Sequence, residues 1–402
     1  MPASEPVPPV VGGPLRSVDE KAALRPVFDP AAFASPVPPG RPGEWLLTSP
    51  MSFVDAAVLV PALAGHVGGA AHPPFRDGRL GALVGETVVC RAPDLFCAPG
   101  WGGLITPGGE VMEAAVAEAR ARTPDLSHLP GVRRDGVEPA FAPAANMPLH
   151  PPATVFMPYG ARANWGHFLL DALPSLLAVE EAGLKLRPIA PPLTAWQRDL
   201  LALLRPGTPV VEVRAPLVRL EEAAWATTMH HFLHRPNALV DRLRTRLLAA
   251  APPPGTVNRI YLSRRGLSQR LLVNEAALEA ALIARGFLCI RPETMSALAQ
   301  VALLRGARIV VGTAGAALAG ALFTEPGAKI FEIQPENFAS HWVRDLCRTI
   351  GAEWFGWFET SPLIMPPTTA RLRWVPRALA GRYRFAWRLD LPGFLRFLDE
   401  RT

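Results

Sequence analysis

Lysine is almost missing from this chain: Lys21, Lys185 and Lys329 are its only three, and arginine supplies the rest of the 41 basic residues. The net charge is +6, yet the arginines are scattered. A nucleic-acid surface would need them clustered with aromatics on one face, so that class is set aside. Arginine does suit bidentate capture of phosphate. Cysteine is scarce too. Cys90, Cys97, Cys289 and Cys347 stand far apart, without CxxC or Cys/His ligand spacing, which argues for reduced core thiols and against structural zinc. No basic stretch followed by an apolar run opens the chain, and the most apolar segment, Ile309 to Phe323, is short and broken by glycine. The expectation is a soluble cytoplasmic protein, at most peripheral to the inner membrane. No Asp-x-Asp pair offers to hold a divalent ion on phosphates. His230, His231 and His234 lack a carboxylate ligand at helical spacing, so no metal site is expected there.

With 402 residues, 49% of them hydrophobic, the chain can bury two cores of ordinary size. Residues 1–43 are rich in Pro and Gly and read as a flexible lead-in. Residues 44–251 form a first domain whose early apolar runs suggest irregular strands, interrupted by a helix over Glu110–Arg122. Pro252-Pro253-Pro254-Gly255 is the clearest hinge signal. After it, over 255–365, short strands and helices of about ten residues alternate regularly, which predicts βαβ units and a parallel sheet. Residues 366–402 read as a tail with a closing helix.

Two clusters in the second domain could carry chemistry. In Arg308-Ile-Val-Val-Gly-Thr-Ala-Gly-Ala316 a strand runs through Gly312 and Gly315 into a small-residue helix. Such a turn can offer backbone N–H groups to phosphate, and Glu332 in the next strand could accept from a ribose hydroxyl. Tight packing explains the same glycines equally well. Arg264, Arg265 and Arg270 leave the first strand of that domain, where they could clamp a diphosphate or simply pair with carboxylates such as Glu275. In the first domain, Asn164, His167 and Asp171 share one helix face, with Asn164 as N-cap. A histidine oriented by a carboxylate can act as a general base or be merely a structural hydrogen bond.

Three blocks together resemble glycosyltransferase family 61: Asn164-Trp-Gly-His-Phe-Leu-Leu-Asp-Ala-Leu-Pro174, then Tyr261–Glu275, then Val311–Pro335. The similarity covers roughly Pro148 to Trp357. The resemblance implies an α/β GT-B fold, with two Rossmann-like lobes facing a cleft and irregular N-terminal strands. It implies an inverting transfer from a nucleotide-sugar donor to a saccharide or lipid-linked acceptor, with no metal cofactor. Under it, His167, Asp171 and Asn164 become the catalytic group. Arg264, Arg270, Gly312, Gly315, Ala316 and Glu332 become the donor contacts. Members commonly carry His-Gly-Ala where this chain has Ala314-Gly315-Ala316, so one imidazole is missing. A non-catalytic nucleotide- or sugar-binding protein is the main rival. A nucleotide-dependent oxidoreductase is a weaker one, since the G-x-G-x-x-G spacing is absent.

Overall fold

The computed structural model describes residues 13–35, 43–49, 52–54, 65–69, 82–84, 86–116, 125–134, 138–144, 146–227, 237–335, 338, 340–359 and 385–402. The protein is a mixed α/β chain that divides into two compact units. The first holds residues 1–52 and 84–243, the second 53–83 and 244–402.

In the first unit, β1 (Ala153–Val155), β2 (Arg187–Ala190), β3 (Val211–Glu212) and β4 (Val218–Ala226) are parallel, in the order β3-β2-β1-β4. The order reverses at β1 and β4, as in one half of a doubly wound sheet. The sheet continues beyond β4 through the antiparallel strand Thr87–Ala98, which buries Val88, Cys90 and Cys97 against Trp225 and Leu220. Asp94 interrupts that long strand at φ 51°, its carboxylate gripped by Arg219 at 2.6 and 2.8 Å.

The second unit contains β5 (Arg259–Leu262), β6 (Leu288–Ile290), β7 (Ile309–Thr313), β8 (Lys329–Pro335) and β9 (Glu353–Glu359). All are parallel, ordered β6-β5-β7-β8-β9, and Val67–Gly69 adds a sixth strand beyond β9. β7 is buried throughout and β8 nearly so, as expected for strands covered on both faces. Ser296 caps its helix by accepting from Ala299 N, and Gly351 ends Trp342–Ile350 in the left-handed region at φ 72°. The switch point of this sheet lies between β5 and β7, whose carboxyl ends therefore flank the natural ligand crevice.

Several boundaries differ from the sequence reading. Residues 13–35 are not a loose lead-in: Phe33 and Leu24 are buried and Glu20 accepts from Ala114 N at 2.8 Å. The stretch read as a helix from Glu110 begins as strand Glu110–Met112, and 117–124 lie outside the described residues. The division falls inside helix Asn237–Ala250, ahead of the prolines read as a hinge. Gly255 is docked, its N–H donating to Ala302 O at 2.7 Å. The described part of the supposed tail is core. Phe385, Trp387, Phe394 and Leu398 are buried in the second unit, each worth roughly 1.5–3 kcal/mol. No helix among the described residues is long and apolar enough to cross a membrane.

Candidate functional site

The segment leaving β1 passes through a turn of 3-10 helix, Tyr159–Arg162, into the helix that starts at Asn164. Asn164 caps it, its Oδ1 accepting from His167 N at 3.1 Å. One turn on, His167 Nδ1 lies 2.7 Å from Asp171 Oδ2. The aspartate is 3% exposed at its side chain and the histidine 21%, so a wet-edged ring is held by a dry carboxyl. The helix is not uniform here. Phe168–Ala172 is π-helical, with Leu173 N donating to Phe168 O, five residues back. Pro174 accounts for this: it has no N–H for the carbonyl of Leu170, and its ring would crowd that carbonyl. Ser175 Oγ donates to Asp171 O at 2.7 Å and steadies the widened turn.

Gln197, buried and missed by the sequence reading, supports the same region. Its Nε2 donates to the carbonyls of Ala161 and Arg162 at 2.9 and 3.2 Å, while its Oε1 accepts from Thr194 N. The neighbouring Trp196 packs on Trp165 and Phe168 at centroid distances of 5.5 and 5.2 Å. His230, His231 and His234 lie outside the described residues. Among the described residues no group of three His, Cys, Asp or Glu is arranged to hold a metal ion.

In the second unit, the carboxyl ends of β5 and β7 bring two arginines to one glycine. A Cβ placed on Gly315 would lie 2.5 Å from an Arg264 terminal nitrogen and 3.6 Å from one of Arg270. Gly315 is extended at φ 172°, so its requirement is space for the guanidinium groups, not backbone freedom. Arg264 Nη2 donates to Gln269 O at 3.0 Å, and its backbone N–H donates to the buried carboxylate of Glu275 at 2.6 Å. Burial pulls the Arg264 guanidinium below its ordinary pKa, with Glu275 and Tyr261 opposing, and it keeps its charge. Its Nε has no hydrogen-bond partner among the described residues. Arg270 lies 4.5 Å over the ring of Phe338. Arg265 behaves otherwise: it pairs with Glu279 at 3.1 Å on the surface.

Ala316 opens a 3-10 helix over Ala316–Phe323, where Leu318 N donates to Gly315 O. The N–H groups that open a helix have no acceptor within it. Ala314, standing where an imidazole was expected, is buried, and its N–H joins β8 through Ile333 O.

Two expected donor contacts need correction. Gly312 is not in the turn but inside β7, where a Cβ would meet Leu318 Cδ2 at 2.9 Å; its role is close packing. Glu332, opposite Gly312 in register, is 0% exposed. Its Oε2 accepts from Trp354 Nε1 at 2.9 Å, and burial raises its pKa to about 8. A carboxyl enclosed this way offers nothing to a ribose at the surface.

The first unit thus holds a carboxylate-bonded histidine, and the second an arginine-lined sheet edge. The family model of glycosyltransferase 61 matches residues 165–331, a span that includes His167, Asp171, Arg264, Arg270 and Gly315. Over that span the chain is similar to glycosyltransferase 61, and the match supports a transferase enzyme. No curated protein is significantly similar to it in sequence.

Proposed function

We propose that the chain is an inverting, metal-independent glycosyltransferase of the GT-B kind, moving a sugar from a nucleotide donor to a hydroxyl of a saccharide or glycolipid acceptor. The product would belong to a surface polysaccharide made at the cytoplasmic side of a membrane. The observation that carries the reading is the convergence of Arg264 and Arg270 on Gly315 at the switch point of a parallel sheet. Two fixed cations beside the start of a helix suit a diphosphate, and they would neutralise the charge that grows on it as it leaves. Tight placement of the arginines stands in for the metal used elsewhere.

The first unit supplies the base in this reading. Asp171 accepts from Nδ1–H of His167 and so fixes the tautomer in which Nε2 accepts a proton. The acceptor oxygen attacks the anomeric carbon and passes its proton to Nε2. The bond to the diphosphate breaks on the opposite face, and the configuration inverts. Turnover with UDP-, GDP-, CMP- and dTDP-sugars, followed by mass spectrometry of the products, tests the proposal. A folded protein that binds none of them and releases no nucleotide would refute it.

A further inference from the structure

The loop bearing the two arginines is tied to a part of the chain outside the matched family region. Arg270 is one of three described non-glycine residues at positive φ, at 51°. A long side chain there is conformationally costly and persists only when neighbours enforce it. The neighbours are identifiable. The carbonyl of Arg270 accepts from the indole Nε1–H of Trp387 at 3.1 Å. The next N–H, of Leu271, donates to Phe385 O at 2.8 Å. Both polar atoms of the peptide joining Arg270 to Leu271 are therefore bonded to one C-terminal segment.

That segment is itself fixed. Leu271 and Leu272 pair in parallel with Ala386 and Trp387, and Val273 N donates to Trp387 O at 2.9 Å. Asn274 then closes the arrangement, its Nδ2 donating to Leu389 O at 2.9 Å and its Oδ1 accepting from Leu389 N at 3.1 Å. On the other side of the loop, Arg264 Nη2 holds the carbonyl of Gln269. Gln269, Arg270, Leu271, Val273 and Asn274 are thus each bonded to something outside this stretch. Trp387 is 1% exposed, so its ring needs no ligand to explain its burial, but its N–H needs a partner and has taken this carbonyl.

We infer that Trp387 is a positioning residue of the donor site: it holds the Arg270 backbone in the left-handed conformation that aims the guanidinium at Gly315. The inference rests on the reading of Arg270 as a ligand of the donor diphosphate. It extends the functional protein to residues 385–389, beyond the matched domain.

The test uses the full chain and two probes, UDP and inorganic pyrophosphate, measured by calorimetry on wild type, Trp387→Phe, Arg270→Ala and the double variant. Phenylalanine keeps the packed ring and removes only the N–H. Trp387→Phe should weaken binding of both probes about 3- to 10-fold, the usual worth of one hydrogen bond. If Trp387 acts through Arg270, the double variant binds no worse than Arg270→Ala alone. Asn274→Ala, which loosens the same segment without touching the indole, should show the same masking and serves if Trp387→Phe does not fold. Losses that multiply in the double variants, or wild-type affinity in Trp387→Phe beside weakened Arg270→Ala, overturn the inference. Unchanged affinity in Arg270→Ala would instead remove the donor-site reading on which it depends.

Discussion

Asp171 Oδ2 meets His167 Nδ1 at 2.7 Å across a stretch of helix that is π-helical between them. The pair is one turn apart in sequence, and Pro174 and Ser175 shape the turn that joins them. His167→Ala should lower kcat by about 10²–10⁴, the range of general-base catalysis, with nucleotide affinity little changed. Asp171→Asn should cost less, because an amide can still hold the ring but no longer fixes the same tautomer. Steady-state kinetics beside calorimetry for UDP would check both. Wild-type kcat in a folded His167→Ala protein would leave the pair a structural device.

Removing the Arg270 guanidinium should weaken nucleotide binding by about 1.5–3 kcal/mol, as expected for a charge-assisted hydrogen bond. Arg264→Ala should do likewise, whereas Arg265→Ala, which loses only the surface pair with Glu279, should leave affinity unchanged. Isothermal titration of the three variants separates the roles.

Gly315→Ala tests the geometry from the opposite side. The added Cβ would lie 2.5 Å from the far end of the Arg264 side chain, which can move, so the fold should survive. Nucleotide affinity should fall by several-fold while the melting temperature shifts little. A variant that binds as wild type does would mean the guanidinium position is not what the ligand reads.

Glu332 predicts a pH effect. Its folded pKa of about 8 lies above the ordinary value of 4.5. Between those values the folded chain keeps a proton that the unfolded chain has released, so stability falls as pH rises from about 4.5 to 8. Glu20, raised to about 7, adds a slope of the same sign. Glu332→Gln should therefore flatten, without abolishing, the decline in melting temperature between pH 5 and 8. An unchanged decline would show that the buried carboxyl does not titrate in this window.

Metal removal makes a further test. Transfer should persist in excess EDTA. Loss of activity restored by Mn²⁺ or Mg²⁺ would place the charge neutralisation on an ion and not on Arg264 and Arg270.

The second unit was readable in the sequence because its strands are short apolar runs alternating with helices of about ten residues. The first unit was harder. Val218–Ala226 holds two adjacent glutamates and three alanines, and no period announced a central strand. His167, Asp171, Arg264, Arg270 and Gly315 were legible as residue types at suggestive spacings. Glu332 was misjudged because spacing along the chain does not reveal that Trp354 closes over it. Gln197 and Trp387 act through carbonyls 36 and 117 residues away, a kind of contact that no local pattern announces.

The edge strand Val67–Gly69 pairs with Gly356–Phe358, and residues 84–243 of the first unit lie between them in the chain. During synthesis, the early strand must wait for nearly the whole chain to emerge before its partner exists. Contacts of such sequence separation form slowly, and the waiting segment exposes unpaired backbone meanwhile. A fragment starting at residue 244 would leave β9 as a bare edge, prone to self-association. Production of this protein in shortened form should therefore fail at that edge first, and supplying residues 53–83 as a separate peptide should relieve it.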